Sequence, residues 1–233
     1  MLKKLSVSFS LFLATQAVVP TALAYEGDPF ESVNRQIHDF NLTVDDYVLK
    51  PLAKGYDYIT PDVAQKAVSN FFNNLFYPTV IANQFLQGKP DEGMQGVTRF
   101  TMNTLIGIGG LIDVAHSAGL KAKNEDFGQT FSLWGMPRGP FIVLPFLGPS
   151  TPTDTLGEVA GTFSTPAYYI DHNSEWYAAA GLYIVDERAA YLGIDDIQNN
   201  DNYAFMRDAY LQRRNYLIAD GEVNESDPFL EDW

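Results

Sequence analysis

The chain has 233 residues, with 29 acidic and 15 basic side chains, and contains no cysteine. Hydrophobic residues make up 46% of it, enough to form a core in one domain or two small ones. The missing cysteine excludes a disulfide framework, a thiol nucleophile and a cysteine-ligated metal site, and the acidic excess argues against nucleic acid as a partner.

Residues 1–24 have the pattern of an export signal. Lys3 and Lys4 precede a short apolar run, which ends in an A-x-A cleavage pattern at Ala24. We expect cleavage between Ala24 and Tyr25, because the run is shorter than the roughly 20 residues of a spanning helix. Residues 25–219 would then form a helical domain, and residues 220–233 a solvated acidic tail.

Three amphipathic helices are predicted in the first half of this domain. Apolar residues recur every three or four positions from Asp28 onward, and Pro51 is expected to end that helix. A second helix begins near Pro61 and is expected to kink or break at Pro78. A third begins at Pro90, and its apolar residues cover several sides, so it should be buried or touch lipid.

The glycine-rich run after the third helix resembles a phosphate loop only superficially. Gly107, Gly109 and Gly110 lack the Lys-Ser/Thr pair that follows in a P-loop, so a tight turn is predicted. Residues 127–157 are dense in glycine and proline, and long regular helices are not expected there. The apolar run 141–147 should pack against the core or face something other than water. Helices are predicted again over 176–195 and 203–219.

No motif for catalysis, a metal or a cofactor is present. The three histidines, His38, His116 and His172, are too far apart in sequence for a metal-ligand pattern, and no G-x-S-x-G occurs. The adjacent acids at 45–46 and 195–196 point to different faces of a helix and are interpreted as solvated. These observations predict a protein that is not an enzyme.

Five blocks of sequence follow the motif order of one family. They are DPFESVNR (28–35); NFFNNL (70–75) with Pro78 and NQFLQG (83–88); RFTMNT (99–104) with GIGG (107–110) and DVA (113–115); FGQT (127–130) with WG, GP, LP and GPS up to residue 150; and Arg207 with YLQRR (210–214). Each block alone is weak, but the ordered set is specific. The chain is therefore similar to the MlaA (VacJ) family of the Gram-negative outer membrane.

The resemblance implies an all-α, ring-shaped, monotopic helical bundle with a Gly/Pro-rich apolar loop region and no spanning helix. Such a ring lies in the inner leaflet of the outer membrane, beside a trimeric porin. It implies removal of mislocalised phospholipids from the outer leaflet through a channel in the ring. A periplasmic lipid carrier of the MlaC type would collect them, so that lipid asymmetry is maintained without covalent chemistry.

By position in the family pattern, residues 127–139 are expected to form a mobile gate. The candidate residues for the lipid path and gate are Gly107, Gly109, Gly110, Phe127, Gly128, Trp134, Gly135, Pro137, Gly139, Phe141 and Leu144. Typical enterobacterial members of this family carry a lipidated cysteine at the position where this sequence has Ala24 and Tyr25. We therefore expect an exported protein held at the periplasmic face of the outer membrane without a lipid anchor, by an apolar rim.

Two other classes of protein remain open at this point. A soluble periplasmic carrier of lipids or other apolar ligands would need a closed pocket and would lack an exposed apolar rim. A secreted hydrolase with a carboxylate site would lose its turnover when one aspartate or glutamate is changed.

Overall fold

The structure is a computed structural model that describes residues 28–171, 173–194 and 201–221. The predicted signal segment with its cleavage site at Ala24 and Tyr25, the histidine at 172, the acidic pair 195–196 and most of the predicted acidic tail lie outside these residues. The α-helices are α1 (Glu31–Val44), α2 (Lys50–Ile59), α3 (Asp62–Leu86), α4 (Pro90–Leu105), α5 (Val114–Ser117), α6 (Phe127–Leu133), α7 (Pro152–Ser164), α8 (Ser174–Ala190) and α9 (Asn202–Ile218). Short 3-10 turns follow α7 (Pro166–Tyr169) and α8 (Leu192–Ile194).

The prediction that Pro51 ends the first helix is wrong. A π-helical turn, Asp45–Leu49, joins α1 to α2, and the chain stays helical to Ile59. The Lys50 N–H donates to the Asp45 carbonyl, five residues earlier. This wider turn shifts the hydrogen-bond register next to Pro51, which has no N–H to donate, so the proline is tolerated.

Pro78 does not break the second helix, because α3 runs continuously over 25 residues. Neighbouring helices support α3 on both sides of the proline. Tyr183 of α8 packs on Phe76 with ring centroids 5.2 Å apart. On the other side, Gly96 of α4 lies so close to Ile81 that an added Cβ would come within 2.9 Å of its Cγ1. Packing therefore offsets the hydrogen bond that proline cannot make.

A β-hairpin, which the sequence patterns did not predict, closes the fold between α6 and α7. Strand β1 (Ile142–Leu144) pairs antiparallel with β2 (Gly148–Ser150), and Val143 lies opposite Pro149. Val143, Phe141 and Tyr203 of α9 form the buried apolar cluster of the protein's described part. The expectation that residues 141–147 pack against the core is met by Phe141 and Val143, whereas Phe146 at the hairpin tip is 72% exposed.

Contacts between the elements form a closed circuit. Helix α1 contacts β1, β2 contacts α9, α9 contacts α6, α6 contacts α3, α3 contacts α8, and α8 contacts α2, which follows α1 in the chain. Across the described ranges, no helix is both long enough and apolar enough to cross a bilayer. The predicted ring-shaped helical fold is thus confirmed, with the hairpin as an addition.

Candidate functional site

The interior of the ring is polar. The largest fully buried side chains in the described part are Gln84, Asn83, Thr130, Thr151, Thr153 and Ser150. Large apolar side chains lie at the surface instead, and examples are Tyr58, Ile59, Val63, Leu105, Ile108, Phe146 and Leu147. Water-soluble domains bury their large aliphatic and aromatic side chains and expose only scattered ones. In the described part of this chain, buried polar side chains outnumber buried apolar ones, and many large apolar side chains are exposed.

A buried charge cluster joins α6, α7 and α9. Arg214 of α9 is 8% exposed and binds Asp126 through both terminal nitrogens, with Nη1–Oδ2 at 2.5 Å and Nη2–Oδ1 at 3.1 Å. Its Nη2 also donates to Asp154, whose other carboxylate oxygen accepts a hydrogen bond from Tyr210 at 2.5 Å. One guanidinium therefore compensates two carboxylates.

The two carboxylates also belong to helix starts. Asp126 is the N-cap of α6 and accepts the Gln129 N–H, and Asp154 lies in the first turn of α7. Helix N-termini favour negative charge. Burial works against ionisation of Asp126, but the hydrogen bonds and charge of Arg214 outweigh it and lower the pKa of the carboxyl. The cluster thus fixes the ends of α6 and α7 against α9.

A cavity of about 180 Å³ lies beside this cluster. It is lined by Thr79 of α3, Phe127 of α6, Glu158 of α7 and the Arg214 cluster. The Glu158 carboxylate has no ion pair within the described ranges, and burial together with nearby Asp154 raises its pKa. The cavity is smaller than the roughly 300–1,000 Å³ of ordinary ligand pockets, so it is too small to enclose a whole lipid.

Polar contacts also connect α3 to α6. Thr130 of α6 donates to the Asn83 side chain at 2.7 Å and accepts from Gln87 at 3.1 Å. Gln84 is fully buried, and neither polar atom of its side chain has a hydrogen-bond partner among the described residues. Buried polar groups without partners are uncommon in proteins, so this part of the interior is suited to contact with water or a polar ligand.

Two of the predicted gate residues lie beside the charge cluster and its cavity. Phe127 lines the cavity, and Gly128 lies against Asp154 and Arg214. A Cβ on Gly128 would come within 2.5 Å of Asp154 Oδ1 and 2.7 Å of Arg214 Nη2. The segment 127–139 is not one continuous loop, because its first half is helix α6 and packs on α7.

The remaining residues of that segment form a loop docked on the start of α7. Trp134 donates through Nε1 to the Leu86 carbonyl at 3.2 Å, and Thr153 Oγ1 donates to the Pro137 carbonyl at 2.8 Å. Gly135 and Gly139 both have positive φ, 90° and 74°. Only the stretch 134–139 therefore has the character of a loop that could move.

Phe141, Leu144 and the three glycines of the first candidate loop lie elsewhere. Phe141 is in the apolar cluster, and the Leu144 carbonyl accepts from Asn41. Gly107, Gly109 and Gly110 form the predicted tight turn, in which their backbone N–H groups bind carbonyls of residues 102–104. Those N–H groups are thus unavailable to a phosphate. None of these five residues lines the cavity.

The sequence interpretation missed the charged residues of the cavity. Arg214 entered only as part of a motif block, and Asp126, Asp154 and Glu158 were not singled out. Asp126 and Asp154 stand at the starts of α6 and α7, but no helix was predicted there because the segment is dense in glycine and proline. Their shared partner could not be predicted either, since Arg214 is 88 and 60 residues away in the chain.

Comparison with known proteins gives consistent matches over most of the chain. The family model described as MlaA lipoprotein matches residues 26–217. The intermembrane phospholipid transport system lipoprotein MlaA of Escherichia coli (strain K12) is 36% identical over 205 residues, covering 84% of this chain and 80% of the relative. The protein of that name from Haemophilus influenzae is 33% identical, covering 88% and 84%.

A solved structure shows the same fold. It is reported as the structural basis for maintenance of bacterial outer membrane lipid asymmetry, and it is 35% identical to this chain with a TM-score of 0.74. The match covers 82% of this chain and 99% of the solved one.

The prediction of a protein held at the outer membrane without a lipid anchor is wrong. The matching family is described as a lipoprotein family, and the E. coli and H. influenzae relatives are named as lipoproteins, which implies lipid-anchored outer-membrane proteins. The prediction rested on the absence of cysteine from the sequence. The absence of one residue type does not decide how members of this family are attached to the membrane.

Proposed function

The chain belongs to the MlaA lipoprotein family, and on that basis we propose that it removes mislocalised phospholipids from the outer leaflet of the outer membrane. The lipids pass through the ring toward the periplasm, and the outer membrane keeps its lipid asymmetry. The chain is a component of lipid transport, and it makes and breaks no covalent bonds.

The observation that carries this proposal is the combination of many buried polar side chains with many exposed large apolar ones. A headgroup that crosses hydrocarbon without solvation costs an idealised amount on the order of 20 kcal/mol per charge. The many buried polar side chains, among them Gln84, Asn83 and Thr130, support a path that offers polar partners to the headgroup. The apolar side chains of the exterior suit a protein embedded in one leaflet, where acyl chains stay in the bilayer.

The proposal includes two protein partners, both inferred from membership of the family. A periplasmic carrier of the MlaC type receives the lipid, and a trimeric porin lies beside the ring in the membrane. The apolar exterior, with exposed residues such as Phe146 and Leu147, supports a location in which lipid or another protein covers that surface.

The two other classes fit the structure less well. A soluble carrier would enclose acyl chains, whereas the cavity is about 180 Å³ and charged side chains contribute to its lining. Hydrolysis by carboxylates generally uses two of them, whereas Asp126 and Asp154 are compensated by Arg214 and leave Glu158 as the one unpaired acid of this cavity's described lining.

The proposed function is tested in cells that lack this gene. Intact cells are treated with a membrane-impermeant amine label, and labelled phosphatidylethanolamine in the outer leaflet is quantified. We expect the exposed fraction to rise in the deletion strain and to return to its normal level when the chain is supplied. Equal exposure in the deletion and complemented strains would contradict the proposal.

We propose that the loop 134–139 gates the path, and a change at Gly135 tests this. Gly135 follows α6 with φ +90°, and an added Cβ would meet no atom within 4 Å. Alanine is therefore accommodated sterically but strained by roughly 1–2 kcal/mol in this backbone conformation, which should shift the loop's equilibrium. We expect Gly135→Ala to raise outer-leaflet phosphatidylethanolamine without loss of folded protein.

Gly119 offers a matched control for this variant. It follows α5 with φ +85° and also has open space around its Cβ position. In both turns the following N–H donates back to a carbonyl five residues earlier, Met136 to Phe131 and Leu120 to Ala115. Gly119→Ala imposes the same strain away from the loop and should leave lipid exposure unchanged. Equal effects of the two variants would argue against a gate at 134–139.

A further inference from the structure

Arg138 lies in the 134–139 loop, beside the buried charge cluster. Its carbonyl accepts the Thr153 N–H at the start of α7, at 3.4 Å. Its side chain reaches inward to donate from Nη1 to Asn215 of α9 at 2.5 Å. Burial lowers the pKa of the guanidinium, and the charge of Arg214 nearby acts in the same direction. The loop thus carries a positive charge into the interior.

One edge of this guanidinium is unused. Nε and Nη2 of Arg138 are buried and have no hydrogen-bond partner in the described part of the chain. These two nitrogens direct their hydrogens to the same side, in the fork that matches two oxygens of a carboxylate or phosphate. Arg188 uses the same two atoms to bind Asp45, with Nε–Oδ1 at 2.7 Å and Nη2–Oδ2 at 2.8 Å.

The surrounding groups supply no internal partner for that edge. The nearest acid that attracts Arg138, Asp154, already accepts hydrogen bonds from Arg214, Tyr210 and Thr151. Asp154 attracts the Arg138 charge, but burial opposes that charge more strongly, and no acid contacts the Nε/Nη2 edge. A buried polar edge without a partner is uncommon in proteins and is suited to binding a ligand. The Thr153 N–H that binds the Arg138 carbonyl lies at the start of α7. The positive end of that helix dipole therefore adds to the positive potential beside Arg138.

We propose that the Nε/Nη2 edge of Arg138 binds the phosphate group of a phospholipid in transit. This inference rests on the proposed function and names the chemical group that the loop recognises. Both nitrogens are covered in the present conformation, so binding requires the loop to move between Gly135 and Gly139. The loop would thereby couple its opening to the arrival of a phosphate.

The test measures lipid binding by the full chain in a phosphorus-free maltoside detergent. The probes are dioctanoylphosphatidylglycerol, dioctanoylglycerol with the same chains but no phosphate, and inorganic phosphate. The variants are Arg138→Lys, which keeps the charge but loses the fork, and Arg138→Met, which loses both. Arg213→Met is the matched control, because Arg213 is an exposed arginine of α9. Binding is followed by isothermal titration and thermal stability by circular dichroism.

We expect both Arg138 variants to bind dioctanoylphosphatidylglycerol at least about tenfold more weakly, the scale of a hydrogen-bonded charge pair. Arg213→Met should bind as the wild type does, and dioctanoylglycerol should not distinguish the proteins. Arg138→Met should melt no lower than the wild type, because burial of the Arg138 charge outweighs the attraction of Asp154. A purely structural arginine would instead lower the melting temperature when replaced.

Three results would overturn the inference. The first is unchanged phosphatidylglycerol binding in both Arg138 variants, and the second is a lower melting temperature of Arg138→Met in the absence of lipid. The third is inorganic phosphate binding as tightly as the lipid, which would identify a free-phosphate site. Restoration of lipid asymmetry by the wild type in deletion cells is scored separately, so the inference can fail while the proposed function stands.

Discussion

Replacing Arg214 with methionine is expected to lower the free energy of unfolding by about 3–5 kcal/mol. The substitution keeps an apolar stem but removes the charge that compensates Asp126 and Asp154, both of which bind Arg214 directly. Two carboxylates would then remain in or near a buried site without a cation. Chemical denaturation of the detergent-solubilised protein measures the change.

Arg213→Met serves as the control for this experiment as well, since the neighbouring arginine is exposed. It should change stability by less than about 0.5 kcal/mol. Adding Asp126→Asn and Asp154→Asn to Arg214→Met should recover part of the loss, because the uncompensated charges are gone. A loss of equal size in Arg213→Met, or no recovery in the triple variant, would count against the charge cluster as the cause.

The same cluster predicts a dependence of stability on pH. The pKa of Asp126 is lowered in the folded state, so the unfolded chain takes up the proton first as the pH falls. The stabilisation from this group is therefore complete above the ordinary pKa near 4 and is lost as the pH falls below it. The Arg214→Met variant should show a shallower loss over this range.

Replacing Asn34 with alanine is expected to cost about 2–4 kcal/mol. Asn34 is 2% exposed, and its side chain donates to the Phe141 carbonyl at 3.1 Å and accepts the Val143 N–H at 2.9 Å. Alanine would leave both backbone groups without partners in a buried place, at roughly 1–3 kcal/mol for each group. Thermal unfolding monitored by circular dichroism measures the effect.

Asn41 provides the comparison that isolates burial. Two turns further along α1, it makes the same pair of bonds to the hairpin, donating to the Leu144 carbonyl at 2.9 Å and accepting the Phe146 N–H at 2.8 Å. These groups are less buried, so water can replace the lost bonds, and Asn41→Ala should cost clearly less than Asn34→Ala. Equal losses of stability in the two variants would show that desolvation of the freed backbone groups does not determine the size of the loss.

Local signals in the sequence predicted much of the helical framework. Proline at the first helical position placed the start of α4 at Pro90, and spacing of apolar residues predicted α8 and α9 to within a few residues. Pro51 and Pro78 misled the interpretation, because a π-helical turn and packing of neighbouring helices offset their effects. Such compensation depends on tertiary contacts that a local pattern does not contain.

The site was less predictable than the helices. The hairpin lacks the Asn-Gly or Asp-Gly turn that usually reveals one, since residues 145–147 are Pro-Phe-Leu. In the sequence analysis Asn34 appeared only as one residue of the first motif block. Its role depends on backbone groups that lie 107 and 109 residues away in the chain. The ordered motif blocks identified the family, although the sequence does not show which residues meet.

The contacts between α1 and α9 determine the order in which the ring can assemble. Arg35 binds Asp201, which lies 166 residues later in the chain. The Tyr203 hydroxyl donates a hydrogen bond to Asp28, which lies 175 residues earlier. Contacts between such distant parts of a chain form late in folding, because the intervening segments must first be brought together. A chain that stops before α9 therefore leaves the ring open, with the docking site for Tyr203 uncovered. Forms of the chain that end before α9 should therefore be cleaved faster by protease than the full chain.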